Sequence, residues 1–129
     1  MDVLRMKKKD IQTAADVAIL VDAFYDKVFQ DGVLAPFFAH VDYPTHRPKM
    51  IAFWSFALLD IAGYKTQVWD VHANMRIAPP LFDHWVNLFV ATVEDLFDGE
   101  VAEKAKLRAK TIGWTFKEKM KAKLDNEEN

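Results

Sequence analysis

Residues 68 to 85 read VWDVHANMRIAPPLFDHW, and the whole 129-residue chain is best read outward from this stretch. Val68, His72 and Met75 fall at i, i+4 and i+7, so on a helical turn the imidazole shares a face with apolar side chains. Pro79 and Pro80 cannot continue a helix but suit the first turn of a new one, which then carries Phe82 and Trp85. The pattern predicts a helical turn ending at His72, an irregular connector and a new helix, an arrangement that could floor a ligand pocket. A lone histidine on an apolar face is ordinarily a core residue bonded to a carbonyl, so the position by itself leaves both readings open.

On the C-terminal side, a helix from Pro80 to about residue 97 turns Phe82, Trp85, Val86, Phe89, Val93, Leu96 and Phe97 inward. After Asp98 and Gly99, a last helix over about residues 100–123 presents a narrow stripe of Ala105, Ala109, Ile112, Phe116 and Met120, followed by a solvated charged tail at 124–129. On the N-terminal side, a helix runs from His46 or Pro48 to about residue 61, because Pro48 fits only a first turn, and Gly63 and Tyr64 end it. Met50, Phe53, Trp54, Ala57, Leu58 and Ile61 keep helical spacing along it, and His46, four residues before Met50, is a second histidine pointing at the core.

Residues 33–45, VLAPFFAHVDYPT, read as a short helical turn and a loop. Thr13 with Asp16 three residues later forms a capping-box variant that opens a helix over 14–30, lined by Val17, Leu20, Val21, Phe24 and Val28. Tyr25 flanks that stripe, and a buried tyrosine needs a partner for its hydroxyl. Gly32 is placed to stop the helix in the left-handed conformation. Residues 1–12 read as a polar N-terminal arm, either frayed or a vestigial first helix. With no strand-like alternation and no internal repeat, the expectation is one all-α domain over residues 1–129.

Composition removes several functions. Lys and Arg total 17 against 19 Asp and Glu, a net charge of -2, so no nucleic-acid partner is expected. The absence of cysteine excludes disulfides, thiolate metal ligands and covalent haem attachment through CxxCH. No apolar run suffices for a signal peptide or a bilayer span, which predicts a cytoplasmic protein with no membrane partner. Aromatic content of 13%, with ten Phe and four Trp, supplies flat side chains for a core or a cavity wall. HExxH, Walker A, GxGxxG, GxSxG and EF-hand patterns do not occur, and the Glu-x-x-His pairs of a diiron bundle are missing.

Taken in order, AFYDKVFQD, LAPFF, THRPKMIAFW, FWSFALL followed by GYK, His72, FDHWVNLFVATVEDLF and VAEKAKLRAKTIG resemble the truncated haemoglobins, and more narrowly their third group. The resemblance covers about residues 14–116; the paired-glycine motifs of groups one and two do not occur. It implies a truncated globin fold, a shortened helical sandwich around haem with a reduced or absent first helix. It also implies a non-covalent haem b, with His72 as the proximal iron ligand and Phe38 packed on the haem. Tyr25, His46 and Trp85 would line the distal side; Met50, Phe53 and Trp54 would lie on the haem-facing side of the His46 helix. Phe24 belongs to the same pocket, and Phe82 and Ile112 to the proximal wall.

Lys49, Arg47 and Arg76 are candidates to pair with haem propionates, or else solvated surface charges. The ligands implied are dioxygen, nitric oxide or carbon monoxide, with an unidentified electron donor keeping the iron ferrous. Two distal donors, Tyr25 and Trp85, would make dioxygen leave slowly, which suits oxygen or nitric oxide chemistry better than bulk transport. A peroxidase-like enzyme or a gas sensor is the alternative within haem proteins, with His46 as a gate or acid-base group. A cofactor-free helical interaction domain is the alternative outside them.

Overall fold

The computed structural model describes residues 8–63 and 76–128, and all regular structure among them is helical. The elements are α1 (Ala14–Gln30), a 3-10 turn (Ala35–Phe38), α2 (Tyr43–Leu59), α3 (Leu81–Leu96) and α4 (Glu100–Glu128). His72, with Val68 and Met75, lies outside the described residues. Among those described, no helix is long and apolar enough to cross a membrane.

The α1 boundaries follow from the signals at its two ends. Thr13 Oγ1 accepts from the Asp16 amide at 3.2 Å while the Asp16 carboxylate accepts from the Thr13 amide at 3.2 Å, the reciprocal box expected from the sequence. The stop is not the one expected. Gly32 does not take a positive φ; Asp31, in extended conformation, ends the helix instead. Its Oδ1 accepts from the Val33 and Leu34 amides, both at 2.9 Å, so a carboxylate turns the chain where a left-handed glycine was anticipated.

Helix α2 starts three residues earlier than the earliest predicted start, at Tyr43, and runs through Pro48. Pro44 occupies its first turn, where a missing N–H costs nothing, and the carbonyl that Pro48 deprives of a donor also lies there, close to the open end. Its other end comes at Leu59, before Gly63: Asp60 adopts a left-handed φ of 58°, and its amide donates back to Phe56 O.

Helix α3 packs along α4, and α1 crosses both α2 and α3. Phe82, Trp85, Val86, Phe89, Val93 and Phe97 are buried as expected, together with Ala105, Ala109, Phe116 and Met120 of α4. The close approach of α3 and α4 depends on Gly113, whose absent side chain leaves room for Val86 Cγ2. Thr92, fully buried, returns its hydroxyl to Leu88 O at 2.7 Å.

Both predicted loose ends are engaged. Ile11 is buried, Lys9 O accepts from the Asp98 amide at 3.0 Å, and Asp10 accepts from the Val101 and Ala102 amides at 2.9 and 2.8 Å. Asp10 thereby caps the start of α4 from 91 residues away. The approach is possible because position 99 is glycine: a Cβ there would collide with the Asp10 side chain, and its φ is +140°. At the far end α4 stays helical to Glu128, and Glu127 forms a two-pronged pair with Arg76, at 2.9 and 2.6 Å.

Candidate functional site

Three elements deliver aromatic rings to one region. From α1 come Phe24 and Tyr25, from α2 Trp54, and from α3 Trp85 and Phe89. Phe24 stands edge-on to Tyr25 at 5.1 Å, to Trp85 at 5.6 Å and to Phe89 at 5.1 Å. Phe89 in turn stacks on Trp54 at 4.6 Å and on Trp85 at 6.1 Å, with interplanar angles of 19° and 20°. Such offset and edge-on pairs add ~0.5 to 1.5 kcal/mol each beyond the area they bury. The result is a rigid aromatic wall in which Tyr25 and Trp85 are one ring apart.

Tyr25 also faces a second set of rings. Phe38 of the 3-10 turn meets it edge-on at 6.1 Å, Tyr43 at the start of α2 lies 5.5 Å away, and Phe29 closes the group at 6.1 Å. Tyr25 is 7% exposed, and none of the hydrogen bonds among the described residues involves its hydroxyl or the Trp85 indole. Burial alone raises the Tyr25 pKa well above the ordinary 10.0, so the group is a neutral donor. An aromatic nest around a donor, with no acceptor for it among the described residues, leaves that donor available to an acceptor from elsewhere. Ser55 Oγ, next to Trp54 on α2, is a buried polar atom with no hydrogen-bond partner among the described residues.

The α2 residues singled out from the sequence form the next layer. Met50 and Phe53 are half-buried against the core, Phe53 meeting Trp54 edge-on at 5.1 Å. His46 is half-buried in the first turn, whereas Lys49 is exposed. Phe82 is buried and packs edge-on to Phe116 at 6.2 Å, with Ile112 half-buried on α4 nearby in the α3–α4 packing. Two of the candidate cations have carboxylate partners: Arg47 binds Asp22, and Arg76 binds Glu127 with both side chains at the surface. The structure therefore brings Tyr25, Trp85, Phe24 and Phe38 together and places Met50, Phe53 and Trp54 on the adjoining helix.

Several participants were not marked by any sequence signal. Phe89 read as core filler, yet it is the ring on which both tryptophans stack. Tyr43 sat in a stretch read as loop. Asp22, on the flank of α1, had no local partner at helical spacing, and only the tertiary structure brings Arg47 to it. Asp31 and His84, 53 residues apart, meet at 2.8 Å beside Trp85, and that contact chiefly holds the Asp31 carboxyl below its ordinary pKa.

Known proteins resemble this chain in both sequence and fold. The chain is 27% identical over 107 residues to the group 3 truncated hemoglobin ctb of Campylobacter jejuni, an alignment spanning 78% of this chain and 84% of that protein. The fold matches the crystal structure of group III truncated hemoglobin from Campylobacter jejuni with a TM-score of 0.79 at 26% identity, covering 89% of this chain and 95% of that one. No family model matches the chain.

Proposed function

We propose that the chain is a truncated haemoglobin of the third group, that it holds a non-covalent haem b and that it takes diatomic ligands at the iron. The observation that carries this reading is the Tyr25 side chain, buried among rings with no acceptor for its hydroxyl among the described residues, one ring from the Trp85 indole. The residues present fit the group: Phe24, Phe38, Met50, Phe53 and Trp54 supply apolar surface, and Tyr25 and Trp85 would supply the donors. At ~25 cal/mol per Å², a few hundred Å² of buried porphyrin face is worth several kcal/mol. Haem, when held, supplies an iron that binds a diatomic ligand such as dioxygen, nitric oxide or carbon monoxide and shifts negative charge onto it.

The protein's part is to hold, orient and donate. His72, outside the described residues, is the imidazole assigned to the iron; Phe82 and Ile112 belong to its side, and Lys49 is the cation left for a propionate. Tyr25 and Trp85 donate to the ligand atom that gains charge, which favours dioxygen over carbon monoxide. Such retention would suit oxygen or nitric oxide chemistry better than bulk transport, with an electron donor as a partner. His46, on the first turn of α2, gates the approach.

The test is an absorption spectrum of the purified chain after haem addition. A Soret band that His72→Ala alters supports the reading. Absence of the band, or a band indifferent to that substitution, refutes it.

A further inference from the structure

Helix α2 begins without a side-chain cap. Its N-cap, Asp42, spends its carboxylate on the Thr45 hydroxyl at 2.7 Å and makes no side-chain bond to a backbone amide of the turn. Pro48, inside the helix, leaves the carbonyl of Pro44 without its helical donor. A first turn built this way frays unless something outside the helix holds it, and it carries His46.

Something outside does hold it. Tyr43 and Arg47, four residues apart and so on one face, both reach Asp22 of α1. The Tyr43 hydroxyl donates to Asp22 Oδ1 at 2.6 Å; Arg47 donates through Nε to Oδ1 at 2.7 Å and through Nη2 to Oδ2 at 3.0 Å. The fork-to-fork geometry fixes orientation as well as distance. Asp22 lies three residues before Tyr25, and the Tyr43 ring packs 5.5 Å from that of Tyr25. One carboxylate therefore ties the turn that bears His46 to the turn that bears Tyr25.

We propose that Asp22 is a positioning residue: through Tyr43 and Arg47 it fastens the first turn of α2, holds His46 over the site and so limits how fast a diatomic ligand enters. The inference rests on the gating role given to His46 above. Asp22 and Arg47 are partly exposed, so loss of the clamp changes rates modestly and leaves the fold intact.

The test compares the full chain with its Asp22→Ala and Asp22→Glu variants in two measurements. Hydrogen exchange at the Thr45, His46, Arg47 and Lys49 amides should quicken about two- to tenfold in Asp22→Ala, with α3 amides unchanged and Asp22→Glu restoring part of the protection. Carbon monoxide association with the haem-loaded protein should quicken by a similar factor in Asp22→Ala, and the same substitution in a His46→Leu background should change nothing. Unchanged exchange overturns the clamp. Faster exchange with unchanged association, or equal acceleration with and without His46, overturns its control of the gate. A chain that takes up no haem refutes the proposed function instead, while the exchange contrast still decides the clamp.

Discussion

Replacing Tyr25 by phenylalanine should separate function from stability, because its hydroxyl is the one atom removed. The ring keeps its edge-on contacts with Phe24 and Phe38 and its packing on Tyr43, so no cavity forms. No bond to a described residue is lost, and a buried hydroxyl that lacks a protein partner costs ~1 to 3 kcal/mol to desolvate. With Tyr25 still 7% exposed, part of that cost is relieved by water, and the variant should be as stable as the parent or more stable by about 1 kcal/mol. Dioxygen release should move the other way. A hydrogen bond to a charged acceptor is worth ~1.5 to 3 kcal/mol, and ~1.4 kcal/mol is tenfold, so dissociation should quicken about ten- to a hundredfold. Stopped-flow displacement of dioxygen by carbon monoxide measures the rate, and urea unfolding of the carbon monoxide form, whose ligand asks least of a donor, measures stability. A variant that is clearly destabilised while releasing dioxygen at the parental rate would mean that the hydroxyl serves the protein and not a ligand.

Two further outcomes follow from the carboxylates. Asp10→Ala removes the cap from α4 and should cost about 1 kcal/mol in urea unfolding; Gly99→Ala, which displaces Asp10 and strains a φ of +140°, should cost more, and the double variant less than the sum of the two. Strict additivity would show that Asp10 and Gly99 act separately. The second outcome concerns acid. For Asp10, burial pulls the pKa up but three backbone N–H bonds outweigh it; for Asp22, Arg47 is the main cause of a lowered value, and for Asp31 it is His84. Folded values below the ordinary 3.8 mean that the stabilisation is complete above that pH and is lost as pH falls through the folded values. Helical circular dichroism should therefore hold steady down to about pH 4 and fall below it, less steeply for Asp10→Asn. An identical acid profile for that variant would exclude Asp10 as a contributor.

The helices were legible from the chain itself. Amphipathic spacing marked α1 and α3 to within a residue or so, because a helix that must bury one face writes that face into its own sequence at every third or fourth position. Thr13 and Asp16 are equally local and were read correctly. The ends of α2 were misplaced because proline and glycine constrain a boundary without dictating it: Pro48 was tolerated five residues into the helix, and Asp60 took the left-handed position before Gly63 was reached. The candidate site divides in the same way. Tyr25, Trp85, Phe38 and Phe24 could be named from the order of motifs, and the structure brings these four rings together, whereas His72, from which the fold was read, lies outside the described residues.

What the sequence by itself determined, then, is which residues face inward, since that depends on a periodicity carried within each helix. Only the tertiary structure decided which of them meet. Asp10 with the start of α4, Asp22 with Tyr43 and Arg47, and Asp31 with His84 join positions 21 to 92 residues apart. A carboxylate on a helix flank looks the same whether water or a distant guanidinium will answer it. The stacking of Trp54 and Trp85 on Phe89 is likewise a property of the angle at which three helices cross, and the Tyr25 hydroxyl, unpaired among the described residues, becomes visible as such only once those crossings have enclosed its ring.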